Sequence, residues 1–291
     1  MYLEYFQLKA PPFSSTPDTR FYVESDSAHP LFLDLIEAVN QSDGFVRIIG
    51  DAGSGKTLHC RKLLNALRCH KKRYNLIHIP QPRLSEEGLL LAIAQELRLS
   101  VSSARTALRT DVVSALNHEL EKPRANVVVI DEGQTMPDDT LELLLELTDM
   151  SRHDQKLLRV VLFTMPLDER AKDLPANRQL QDRITLEREL VSFDREGVER
   201  YLETRLREAG HSGAPLYSDE AIDVLFRASK GVPRLINLLA HKSLMNAFNA
   251  KLDQVQGLQV RLAAAATEIV APTEEPDNRI GWFSRLRRRA G

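Results

Sequence analysis

The chain of 291 residues holds only two cysteines and one tryptophan, and it has no run of 18 consecutive apolar residues. Cys60 and Cys69 stand nine apart on an expected helix, a rise of about 13 Å, too far for a disulfide, so both thiols are expected free, as in a reducing cytoplasm. Without a long apolar run no spanning helix is expected. Without a basic stretch leading into an apolar one, no secretory leader is expected at the N-terminus either. Charge of one sign is also missing. The 39 Lys and Arg nearly balance 41 Asp and Glu for a net charge of -2, which argues against whole-surface attraction to nucleic acid or anionic lipid and leaves only local patches. There is no internal repeat. What remains, 43% hydrophobic and 27% charged residues, is the composition of an ordinary globular chain, long enough for a main domain with a smaller appendage.

What is present is alternation. Residues 1–28 carry aromatics and Pro-Asp punctuation and read as an ordered arm, followed by a helix over Pro30–Asn40. A short strand over Phe45–Ile49 then feeds a helix over Lys56–His70. After it come strand "YNLIHIP", helices near 85–98 and 104–121, strand "NVVVI", a helix over 138–150, strand "LLRVVLFT" and a strand over Ile184–Leu190. This rhythm predicts an α/β fold with a parallel sheet covered on both faces. Helices near 195–209, 218–229 and 233–249, and one more over 251–268, predict a separate small helical domain. "APTEEPDN" is a polar linker to the tail "RIGWFSRLRRRAG".

Between the first strand and its helix stands "IIGDAGSGKTLHC", residues 48–60. Gly50, Asp51, Ala52, Gly53, Ser54, Gly55, Lys56, Thr57 and Leu58 form a run of backbone N–H groups closed by a helix N-terminus, which is a phosphate cradle. Lys56 is placed to reach β and γ phosphates, and Thr57 to give a hydroxyl to Mg²⁺. "NVVVIDE" puts Asp131 at the carboxyl edge of a buried strand, where it reaches the metal, and Glu132 beside it to activate water. The alternative for such an acid pair is a helix N-cap. The motifs favour a nucleotide hydrolase first and a nucleotide-binding switch second.

With "GDAGSGKT", "VVVIDEGQTMP" and "SKGVPRLINLL", the chain resembles the AAA+ ATPases. The opening "YLEYFQLKAPPFSSTPDTRFYVES" resembles in particular the secretion ATPases called GspA or ExeA, including their MSHA pilus members. The resemblance covers roughly residues 1–250, and His29 and "LELLLELTDM" fit it. It implies a P-loop AAA+ sheet flanked by helices with a small C-terminal helical domain, ATP and Mg²⁺ as ligands, and a homo-oligomer formed with ATP. By the same resemblance Arg234 contacts the γ phosphate. Arg183, or next Arg178, in "NRQLQDRITLERELVSF" reaches a neighbouring subunit's nucleotide. The domain bounds it suggests are 1–43 for the arm and first helix, 44–192 for the core, 193–268 for the small domain and 269–291 for linker and tail. The sequence departs from the family where Gly-Gln-Pro-Glu-Leu is usual: here stand Thr164, Met165, Pro166, Leu167 and Asp168, with Thr164 the candidate substitute for the first-sensor glutamine. That departure bears on hydrolysis rate more than on nucleotide binding. "NLET" is likewise replaced by Asp149, Met150, Ser151 and Arg152.

The implied work is assembly of a type IV, MSHA-like pilus or of type II secretion machinery, with pilus or secretion assembly proteins as partners. Two alternatives stand beside it: a nucleic-acid-dependent ATPase like the transposition regulators, and a nucleotide-gated scaffold with little turnover. For nucleic acid the feature is the acid-free run Arg61, Lys62, Arg68, Lys71, Lys72 and Arg73, which equally suits the C-terminal dipole of a helix. The aromatics of the first 22 residues read as groove-filling or as a docking arm. In the tail, Trp282, Phe283 and Leu286 beside Arg279, Arg285, Arg287, Arg288 and Arg289 suggest peripheral inner-membrane contact through 279–291, a disordered solubilising tail, or docking on an acidic partner.

Overall fold

In the computed structural model, residues 2–14, 21, 23, 28–41, 44–99, 105–122, 124–152, 155–167 and 173–267 are described. The tail 279–291, its linker and Asp168 lie outside the described residues, as does the side chain of His29. The chain divides into a core unit, Ser15–Phe193 with Val232–Arg234, and a helical unit, Met1–Ser14, Asp194–Gly231 and Leu235–Gly291.

The short helix α1 (Tyr2–Tyr5) opens the chain. The core unit follows with α2 (Ala28–Gln41), β1 (Phe45–Ile49), α3 (Lys56–Cys69), β2 (Tyr74–Ile79), α4 (Glu86–Glu96), α5 (Arg105–Glu119), β3 (Ala125–Ile130), α6 (Asp138–Asp149), the two-residue strands β4 (Ser151–Arg152) and β5 (Gln155–Lys156), β6 (Arg159–Thr164), α7 (Pro175–Arg183) and β7 (Ile184–Glu189). Five strands form one parallel sheet in the order β2-β3-β6-β1-β7, and β4 pairs antiparallel with β5.

The uninterrupted apolar strands follow from burial on two sides. Val127, Val129, Val161 and Phe163 face a core shared with α2 and α3, while Val128, Ile130, Val160 and Leu162 face another shared with α4, α5, α6 and α7. Registry then aligns the carboxyl ends. Ile49 pairs with Thr164 and Ile130 with Leu162, so the segments leaving β1, β3 and β6 emerge on one edge of the sheet, where ligands of open α/β sheets bind.

The helical unit contains α8 (Arg195–Glu208), α9 (Asp219–Ser229), α10 (Pro233–Asn249), whose first two residues belong to the core unit, and α11 (Gly257–Ala265). Asp194 and Ser218 cap α8 and α9 through the N–H groups of Gly197 and Ala221, and Gln256 with Gln259 forms a capping box on α11. The opening residues pack within this unit. Phe6 and Phe13 are buried, Lys9 N–H donates to the Ala209 carbonyl at 2.7 Å, and the Tyr5 hydroxyl donates to Asp253 at 3.3 Å. Tyr2 meets His241 edge to face, and Phe13 meets Tyr217. Among residues 2–14 these rings fill the surface of the helical unit, the groove-filling reading of the two the sequence allowed.

Candidate functional site

The loop after β1 is pinned before it turns: Gly50 N–H donates to the Thr164 carbonyl at 3.1 Å. A side chain at Gly50 has no room, because its Cβ would stand 2.5 Å from Ser54 Oγ and 3.2 Å from Leu190 Cβ. Gly53 and Gly55 take φ of 88° and 99°, the left-handed region that glycine enters without a steric cost. The Lys56 ammonium, only 4% exposed, donates to the carbonyls of Gly50 at 2.8 Å and Asp51 at 3.0 Å, so it lies across the loop that it follows. Ser54 Oγ is buried and has no hydrogen-bond partner among the described residues. A buried hydroxyl without a partner, inside a ring of backbone N–H groups at the start of α3, fits an anion that accepts hydrogen bonds.

Asp131 and Glu132 leave β3 at the same edge. Asp131 is 6% exposed, and its backbone N–H donates to Ile79 of β2 at 3.1 Å. Glu132 adopts φ of 54°, uncommon outside glycine, and its N–H donates to Asp131 Oδ1 at 3.0 Å. Thr57 occupies the second position of α3. A hydroxyl and a carboxylate are hard oxygen ligands of the kind Mg²⁺ takes in ones and twos beside phosphate, so the donor set of Thr57 and Asp131 suits that ion.

Thr164 is buried, and its hydroxyl donates to the Met165 carbonyl at 3.1 Å. Sequence reasoning gave Gln134 no role. In the structure its amide bridges the Glu132 carboxylate and the Met165 N–H. Its one signal in the sequence is an amide two positions after the acid pair.

Arg183 is engaged at the end of α7 with Asp149 at the end of α6, 2.6 Å from Nη2 to Oδ2 and 3.1 Å from Nε to Oδ1, and with the Gln179 carbonyl. The Arg183 hydrogen bonds hold the Asp149 carboxyl below the usual carboxylate range. Arg178 pairs with Asp173 at 3.0 Å on the surface. Arg234 comes to the phosphate loop. Its N–H donates to the Gly53 carbonyl at 3.2 Å, and a Cβ at Gly53 would lie 2.7 Å from Arg234 Cβ. Of the basic run, Arg61, Arg68, Lys71, Lys72 and Arg73 are exposed, whereas Lys62 stands over the Phe32 ring at 4.6 Å.

A parallel sheet with a glycine loop running into a helix and an acid pair on a neighbouring strand end defines a P-loop nucleotide-binding protein. The family model described as an AAA domain matches residues 39–171. General secretion pathway protein A of Aeromonas hydrophila is 33% identical over 266 residues, covering 91% of this chain and 48% of that protein, so the chain spans about half the length of that relative. Among solved structures, Cdc6p from Pyrobaculum aerophilum matches with a TM-score of 0.63 at 15% identity, over 89% of this chain and 70% of that one. Drosophila ORC bound to DNA matches with a TM-score of 0.65 at 17% identity, over 92% and 66%. At such identities these two speak for the fold alone. The chain has the P-loop AAA fold and is related to General secretion pathway protein A.

Proposed function

We propose that this chain binds ATP with Mg²⁺ and hydrolyses it, and that turnover serves the assembly of a type IV, MSHA-like pilus or of type II secretion machinery. The loop carries the reading: buried Lys56, a Ser54 hydroxyl without a partner among the described residues, and two left-handed glycines at the start of α3, beside the acid pair that ends β3. Backbone N–H groups over residues 50–58 hold the phosphates, and Lys56 turns from its loop carbonyls to the β and γ oxygens. Thr57 and Asp131 hold the metal, which when bound neutralises phosphate charge. Glu132 takes the proton of the attacking water. Thr164 offers a polar group at the end of β6, Arg234 contacts the γ phosphate, and Arg183 of one subunit, once released from Asp149, stabilises charge on a neighbour's transferred phosphoryl group. The machinery is drawn from the name of the relative and from the opening residues, which resemble those of the MSHA pilus biogenesis protein MshM. Contact of segment 279–291 with the inner membrane rests on its sequence.

The test is binding of a fluorescent ATP analogue together with phosphate release. Lys56→Ala is expected to weaken binding about a hundredfold, the loss of a charge-assisted contact worth about 3 kcal/mol. Unchanged affinity contradicts the assignment. The exposed cations at the end of α3 favour the nucleic-acid-dependent reading as the second. Phosphate release stimulated by duplex DNA and lost at raised salt would put it first.

A further inference from the structure

Gln134 touches two groups that the proposed chemistry needs in register. Its Nε2 donates to Glu132 Oε2 at 2.6 Å, and its Oε1 accepts from the Met165 N–H at 3.0 Å. The amide fits only one way round, because a carboxylate only accepts and a backbone N–H only donates. The surrounding turn is fixed as tightly. The Glu132 carbonyl accepts from the Thr135 N–H and hydroxyl, both at 2.9 Å, and the Glu132 N–H is taken by Asp131. At Gly133 a Cβ would stand 2.3 Å from Leu162 Cδ1 and 2.8 Å from its Cγ, so the turn lies directly on β6.

Met165 directly follows Thr164, whose carbonyl takes the Gly50 N–H at the mouth of the phosphate loop. One connected path therefore runs from the Glu132 carboxylate through the Gln134 amide to the end of β6 and on to the loop. A carboxylate on a flexible side chain aims at a water only if its torsions are fixed. Here the amide fixes them against β6, leaving Glu132 Oε1 as the oxygen that accepts the proton.

We propose that Gln134 is the positioning residue of the hydrolytic site, holding the Glu132 carboxylate in register with the end of β6 and, through Thr164, with the phosphate loop. This rests on the ATPase reading, in which Glu132 is the base. It concerns the chemical step and not nucleotide affinity, since the amide touches the base and the strand end.

The test measures kcat, KM and nucleotide affinity for the unmutated protein, Glu132→Gln, Gln134→Met and Gln134→Glu. Gln134→Met keeps the length of the side chain and removes both hydrogen bonds. It is expected to lower kcat about ten- to a hundredfold with KM and affinity unchanged, as for a misplaced reacting group. Gln134→Glu keeps an acceptor for Met165 but sets a second carboxylate against Glu132. A carboxylate only accepts, so the bond to Glu132 is lost while the Met165 contact stays, and kcat is expected to fall at least as far as in Gln134→Met with affinity unchanged. A merely structural glutamine would not separate kcat from KM and affinity in this way. If Gln134→Met or Gln134→Glu keeps or raises kcat, or if either weakens nucleotide affinity as much as it lowers kcat, the assignment is overturned while the ATPase reading stands. If the unmutated protein releases no phosphate, or Glu132→Gln turns over normally, the ATPase reading itself has failed and the inference with it.

Discussion

Cys60 lies one turn into α3, buried, and its thiol is pushed up to about 12, first by burial and then by the charge of Asp131. Cys69, at the end of the same helix, is exposed. A neutral buried thiol is a poor nucleophile, so a thiol reagent at neutral pH should modify one cysteine in the folded protein and two in denaturant. Rapid modification of Cys60 in the folded state would mean that the base of the phosphate loop opens. Local demands explain why so much of the site was legible. A phosphate cradle needs consecutive residues of stated kinds, from Gly50 to Thr57, and the acid pair needs only a strand before it. Gln134 and Asp149 escaped because their decisive partners, Met165 and Arg183, lie 31 and 34 residues along the chain. Nothing in the spacing of an amide or a single carboxylate announces such partners.

The elements that read clearly are those whose burial leaves a period in the sequence. Strands β3 and β6 are runs of Val, Leu, Ile and Phe because both their faces are covered. Helix α7 was not foreseen. "PANRQLQDR" buries only Ala176 and Leu180, four apart on one face, and Pro175 at its first turn was the available signal. The last helix is shorter than its expected span of 251–268, because Val255 pairs with Tyr217 and Gln256 starts the helix with a capping box. Between elements, one side chain joins three segments: Asn126 of β3, 1% exposed, donates to the carbonyls of Leu116 at 3.1 Å and Leu157 at 3.0 Å and accepts from Asn75 at 2.9 Å. Asn126→Ala leaves these buried groups without that partner and should cost about 1–3 kcal/mol in urea unfolding, with nucleotide chemistry at the far end of the strand unchanged. Stability equal to that of the unmutated protein would show that the carbonyls find other donors.

At the scale of the molecule, the fold is shared with proteins named for several kinds of work, so function has to be argued from the site. The proposed role of Arg183 requires subunits to abut, and its fork is engaged with Asp149 within the chain. ATP with Mg²⁺ is therefore expected to drive self-association of Glu132→Gln, which holds nucleotide without cleaving it. Sedimentation that finds only monomer at high concentration would remove Arg183 from the mechanism. The central claim is that the loop binds ATP and that Glu132 activates the water that cleaves it. Nucleotide binding and phosphate release measured side by side on Glu132→Gln test it most directly. The account predicts affinity equal to that of the unmutated protein with turnover reduced at least a hundredfold, roughly 2.7 kcal/mol in the barrier, and phosphate release at the unmutated rate would contradict it.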